Sequence, residues 1–138
     1  MAMIRLEIVT PEAKTFSDDV DIVTMPGIEG EMGILVGHMP LLTQIRPGEL
    51  RVTKGKEEFS LAVGEGFVEV TGDKISVLTD LAIRAEEIDE TKAEEARRRA
   101  EEALRGKLGA EEEALTRAML EKSLAQLHVK RRRRERSV

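Results

Sequence analysis

Apolar and polar positions alternate at two different periods along this chain, and the change falls near residue 84. Ile4, Leu6 and Ile8 alternate with Arg5 and Glu7, the period of two expected of a half-buried strand. Thr10-Pro11-Glu12 closes that run, because proline lacks a backbone donor. Val20 to Met25 predicts a second strand, ended by Pro26-Gly27, and Leu41 to Ile45 a third, ended by Pro47-Gly48. Leu50 to Thr53 and Glu58 to Val63 flank Lys54-Gly55-Lys56 as a hairpin. Phe67 to Val70 and Ile75 to Leu78 flank a second Gly-containing turn, Thr71 to Lys74. Short, closely spaced strands with no helix among them predict an antiparallel sandwich or barrel over residues 1–84.

From residue 85 the period becomes helical. Ala93, Ala96, Ala100, Ala103 and Leu104 recur at helical spacing, with Asp89 placed as N-cap. Gly106 and Gly109 bracket a break. Glu111 to Glu113 then open a second helix, where its dipole favours acids. Leu115, Ala118, Met119, Leu120, Leu124 and Leu127 give that helix an apolar face wider than one stripe. Either one part meets the first helix and the remainder the sandwich, or the helix docks in more than one place. The expected fold is α+β: an N-terminal antiparallel β-sandwich, then a C-terminal antiparallel two-helix hairpin over residues 85–138.

Composition narrows the chemistry. There is no cysteine, so no disulfide or thiolate metal site, and no apolar run of the roughly 20 residues that a membrane-spanning helix needs. No apolar run near the N-terminus is long enough for a signal peptide. Residues 1–84 carry a net charge of −6, residues 85–128 a net of −4 and residues 129–138 a net of +5. An acidic body with a basic end fits an acidic protein surface better than nucleic acid, and without Trp or Tyr there is little to stack bases on.

Candidate sites are few. Gly27 to Pro40 holds four glycines within eleven positions, but no helix or lysine follows as a phosphate loop requires, so an irregular inter-strand loop is expected. His38 has no histidine or cysteine nearby to make a ligand set, and no nucleophile beside it. Asp18, Asp19 and Asp21 lack the other ligands of a calcium loop and are expected to be a solvated turn and strand start. No catalytic constellation emerges. The run Lys130 to Arg136 is either solvated charge at a helix C-terminus or a docking element for an acidic protein surface.

Several motifs in fixed order carry a resemblance: GIEGEMGILVGHMPLL at Gly27 to Leu42, IRPGEL at Ile45 to Leu50, VGEGFVEV at Val63 to Val70, ISVLTDLA at Ile75 to Ala82 and IDETKAEEARRRA at Ile88 to Ala100. Along nearly its full length the chain resembles the epsilon subunits of bacterial F-type ATP synthases. The resemblance implies a ten-stranded sandwich and a two-helix hairpin, in a non-catalytic subunit of the central stalk. It implies the gamma subunit, the membrane c-ring and the alpha/beta catalytic subunits as partners. The place implied is peripheral, on the cytoplasmic face of the bacterial membrane, held there only through the complex. Glu31, Met32 and Gly33 would touch the c-ring, Glu31 foremost. Arg117, Lys122, Arg131, Arg132, Arg133 and Arg134 would face acidic segments of the catalytic subunits and inhibit hydrolysis. No cofactor is required. A regulatory ATP is implied for some members by a motif matching Ile88, Asp89, Lys92 and Ala93, with Arg99 as a further contact. Here lysine stands in the arginine position and lacks the planar fork for bidentate phosphate contact. The alternative is that Asp89 simply caps the helix.

Overall fold

The computed structural model describes residues 3–136. Ten strands form: β1 (Ile4–Val9), β2 (Lys14–Val20), β3 (Ile22–Gly27), β4 (Gly30–Leu35), β5 (Leu41–Ile45), β6 (Gly48–Lys54), β7 (Glu57–Val63), β8 (Gly66–Thr71), β9 (Lys74–Thr79) and β10 (Ala82–Arg84). A 3-10 turn (Ala85–Glu87) then leads into α1 (Glu90–Leu104) and α2 (Ala110–Arg136). The strand order is β10-β7-β6-β3-β5-β8-β9-β1-β2, with β4 beside β3. Only Gly27↔Ile45 joins β3 to β5. At that point the sheet folds over, and five strands on each side face one another across a single core.

Alternation fills that core. Ile4, Leu6 and Ile8 from β1 meet Val23, Met25, Leu50, Val52, Leu61, Val63, Val68, Val70, Ile75 and Val77, all fully buried. At Gly66 the β8–β9 backbones approach so closely that a Cβ would collide with the Leu78 carbonyl, so no side chain fits there.

The structure corrects the sequence reading in four places. Lys14–Val20 is a strand, with Phe16 and Val20 turned inward, and the expected strand from Val20 is broken at Asp21 into β2 and β3. Five polar residues in seven hid its period. Second, Gly30–Leu35 is not an irregular loop but strand β4, an edge strand paired along its whole length with β3. Gly30, at φ 132°, opens β4 straight after the two-residue turn Ile28-Glu29; Gly33 lies in ordinary extended backbone. Third, β1 runs parallel to β9. That long-range neighbour has no local signal. Fourth, Ala103 is exposed, and the close helix seam uses Ala93 and Ala100, seven residues apart.

The helical hairpin lies against the sandwich. The later half of α2 packs on β6, β7 and the 3-10 turn as well as on α1, burying Ser123, Ala125, Leu127 and Val129. Val129 enters a second small cluster with Ala62, Ala85 and Ile88. The early half of α2 leaves Leu115 and Met119 exposed. The wide apolar face is thus met on two sides at one end only.

Candidate interaction surfaces

Three surfaces stand out among the described residues. The first is the β3–β4 tip. Ile28 and Glu29 form its turn, and Arg46 holds it by donating from Nε to the Gly27 carbonyl (3.4 Å) and from Nη2 to that of Ile28 (3.3 Å). Glu31 stands 62% exposed beside the tip, with Arg51 3.1 Å away. Met32 packs partly on the core, and Gly33 borders open space. These three residues therefore lie on a presented edge strand, steadied by two arginines.

The second surface was not singled out from sequence. Phe67 and Leu78 are direct cross-strand partners, and Leu42 lies diagonally beside Phe67 through the Gln44↔Phe67 register. All three point outward, at 51%, 55% and 69% exposure. A contiguous apolar strip on the solvent side of β5, β8 and β9 is what a docking face requires. The signal was present: in strands that alternate, Phe67 and Leu78 fall in the solvent phase, where polar residues belong.

The third surface is the basic end of α2, where Lys130, Arg131, Arg132 and Arg134 each have a partner. The Arg131 guanidinium forks, with Nε on Glu90 and Nη2 on Glu94, both at 3.1 Å. Arg134 reaches the other Glu90 oxygen at 2.6 Å. Arg132 pairs with Glu49 of β6, and Lys130 donates to the Ala85 carbonyl at 3.2 Å. The arginines hold the carboxyl of Glu90 below the usual range, Arg131 most; Glu94 is lowered first by Arg97 and then by Arg131. Lys122 pairs with Asp80 at 2.8 Å, and Arg117 with Glu113 along the same helix at 2.8 Å. Arg133 is exposed, at the rim of a cleft also lined by Glu49, Glu58 and Arg132.

The residues implied for ATP are not gathered around one pocket. Ile88 and Ala93 are buried, and Asp89 accepts from the Lys92 backbone N–H at 3.1 Å as the helix N-cap. Lys92 and Arg99 are exposed on one stripe of α1, about 10 Å apart by helix rise. The neighbouring cleft presents Glu90, Glu94 and Glu95 against Arg98 and Arg131. Lys92 and Arg99 do not line that cleft.

Elsewhere, His38 Nδ1 donates to the carbonyl of the neighbouring Met39 at 2.7 Å. Asp18, Asp19 and Asp21 each have a separate partner: Lys54 at 2.6 Å, Arg5 at 3.1 Å and the Gly55 N–H at 2.6 Å. Among the described residues no group of three or more carboxylates and imidazoles is placed to hold a metal ion.

Both parts of this geometry have relatives. Residues 3–85 match the model of the ATP synthase delta/epsilon chain β-sandwich domain, and residues 86–131 that of its long α-helix domain. The chain belongs to the ATP synthase delta/epsilon family. An ATP synthase epsilon chain of Dehalococcoides mccartyi is 50% identical over 132 residues, covering 91% of this chain and 94% of that one. One from Herpetosiphon aurantiacus is 44% identical over 133 residues, covering 96% and 98%. Among solved structures, a chain of the Euglena gracilis mitochondrial ATP synthase, with OSCP, F1 and c-ring, superposes at a TM-score of 0.74 and 27% identity, over 88% of this chain and 77% of that one. A Tetrahymena thermophila central stalk and c-ring structure shares the fold at a TM-score of 0.53 and 17% identity, over 62% and 69%. As a delta/epsilon family member this chain is a non-catalytic subunit of the central stalk of an F-type ATP synthase. None of its described helices is long and apolar enough to cross a membrane.

Proposed function

We propose that the sandwich of this chain transmits ion-driven rotation between the c-ring and the gamma subunit, and that the helical hairpin restrains ATP hydrolysis when it leaves the sandwich for the catalytic subunits. The Leu42–Phe67–Leu78 strip carries the first half of this reading. Exposed aromatic and aliphatic side chains on a rigid sheet supply the dry anchors of a stable interface, and we assign this face to gamma. The β3–β4 tip, with Glu31 outward, is assigned to the c-ring; a carboxylate on a stiff edge strand suits its polar loops. On this reading the chain reaches the cytoplasmic side of the bacterial membrane only through these partners.

The restraint is assigned to α2. Arg117, Lys122 and Arg131 to Arg134 meet acidic segments of the catalytic alpha and beta subunits once the hairpin is released. Membership of the family across both segments, rather than the sandwich alone, supports this half of the reading.

ATP hydrolysis by the catalytic complex depleted of this subunit tests both halves. The main core cluster contains no helical residue, so a truncation after Arg84 keeps that core complete. Both full chain and truncation are expected to bind, with only the full chain suppressing hydrolysis. Suppression by neither would remove the regulatory role, and binding by neither would remove the assigned docking face.

A further inference from the structure

The last residue of the sandwich rests on aromatic rings. Arg84 closes β10, and its guanidinium carbon sits 5.5 Å from the centre of the Phe16 ring and 5.2 Å from that of Phe59. The rings touch one another, 5.5 Å apart and tilted by 45°. Their negative faces attract a cation at that range, and a planar guanidinium stacks on them as an ammonium does not. Glu86, 3.9 Å away and 44% exposed, adds little to this hold. Phe16 lies on β2 and Arg84 on β10, the two ends of the strand order, with Phe59 on β7 beside β10. Among the described residues no ladder joins β2 to β7 or β10, so side chains close this side of the sandwich. Lys54 of β6 and Asp18 of β2, paired at 2.6 Å, line the same cleft as the two rings and Arg84.

We infer that Arg84, seated on Phe16 and Phe59, is the fixed end of the hinge: it keeps β10 in the sheet and confines the pivot of the helical hairpin to residues 85–88. The inference deepens the hairpin reading above and rests on it for the movement only; the clasp stands on the geometry. β10 needs such a hold. It is three residues long, pairs with β7 on one side, and buries none of its side chains fully. A strand that short at a sheet edge frays. Beyond Arg84 the chain makes one 3-10 turn between extended backbone at Arg84 and Ile88, and Asp89 then caps α1. Ala85 and Ile88 are buried with Val129 of α2, whereas Glu86 and Glu87 are exposed. When α2 lifts away, Ala85 and Ile88 lose that cover, but Arg84 keeps both rings because they belong to the sandwich.

Amide hydrogen exchange on the full chain tests this. Wild type is expected to protect residues 82–84 and to exchange fast only from residue 85 to the helix cap. In R84A the fast window should extend back over residues 82–84, with exchange there about tenfold faster. Exchange in β9 should stay at the wild-type rate, showing that the sandwich is still folded. R84K, which keeps the charge without the planar group, should lose most of the protection, and E86Q should match wild type. Wild-type exchange over residues 82–84 in R84A or R84K overturns the inference. So does an E86Q chain as fast as R84A, which would place the hold in the ion pair, or an equal acceleration of β9, which would make Arg84 a prop of the whole core. Exchange is read on the free chain, so failure of the hydrolysis test above leaves the clasp standing, and unchanged exchange in R84A removes the clasp alone.

Discussion

The sandwich and the hairpin are held by different physics. In the sandwich, Ile, Leu, Val and Met side chains from both halves of a folded-over sheet are fully buried against one another. Each large side chain there contributes roughly 1.5–3 kcal/mol by leaving water. In the hairpin, alanines line the buried seam of α1, and charge pairs surround it. The first arrangement is insensitive to salt and hard to open locally. The second is close, shallow and screenable. On the proposed reading, the element that transmits rotation and the segment that leaves it differ in side-chain size and charge, within one 138-residue chain.

The sharpest way to break this comparison is to cut into both seams. Leu61→Ala is expected to destabilise the sandwich by about 2–5 kcal/mol in denaturant unfolding. Leu127→Ala should leave the sandwich midpoint nearly unchanged while making residues 85–89 sensitive to protease. Equal losses in the global transition from both would show one cooperative unit and remove the distinction.

Next in size is the docking strip. Phe67→Ser with Leu78→Ser should weaken binding to the gamma subunit by at least tenfold, about 1.4 kcal/mol, as for a hot spot. The stability of the free chain should hardly change, because both side chains are exposed. A binding titration that matches wild type would move the gamma face elsewhere.

Acid should separate the two regions as well. Glu90 and Glu94 are lowered in the folded chain, so the stabilisation they give is present above the ordinary glutamate range and is lost as pH falls through their depressed values. Arg97 and Arg98 face them from α1, and Arg131 and Arg134 from α2, while His128 lines the adjoining cleft. The helical circular-dichroism signal is therefore expected to fall as pH drops below the ordinary glutamate range, before the strand signal is lost. Simultaneous loss of both would deny the hairpin its separate ionic hold.

The smallest expected effect is at the hinge. Asp89→Ala should reduce the stability of α1 by about 1 kcal/mol, the usual value of an N-cap, with the helix signal as readout. If the residue instead serves only a ligand, the substitution would leave the free chain's stability unchanged.

Much of this molecule was legible because its signals are local. Ile4, Leu6 and Ile8 alternate, Gly55 and Gly72 turn with positive φ where hairpins were expected, and Asp89 caps the helix it precedes. The basic end of α2 was legible as charge, and the Gly27 to Leu42 segment as a motif. What sequence could not supply was long-range partnership. β2 is held as a strand by its neighbour β1 and by Phe16 and Val20 reaching the core, against its own polar composition. β1 finds β9 in parallel across some seventy residues. Leu42, Phe67 and Leu78 become one strip only when three strands come into register.

The same division holds for the charges. The amino-acid order alone determined that an acidic body ends in a cluster of arginines, since counting needs no coordinates. Only the folded chain decided that Arg131, Arg132 and Arg134 lie on Glu49, Glu90 and Glu94, up to 83 residues away in sequence. Electrostatic attraction at contact distance falls off within ångströms, and which carboxylates come that near is set by how the helices pack on the sheet.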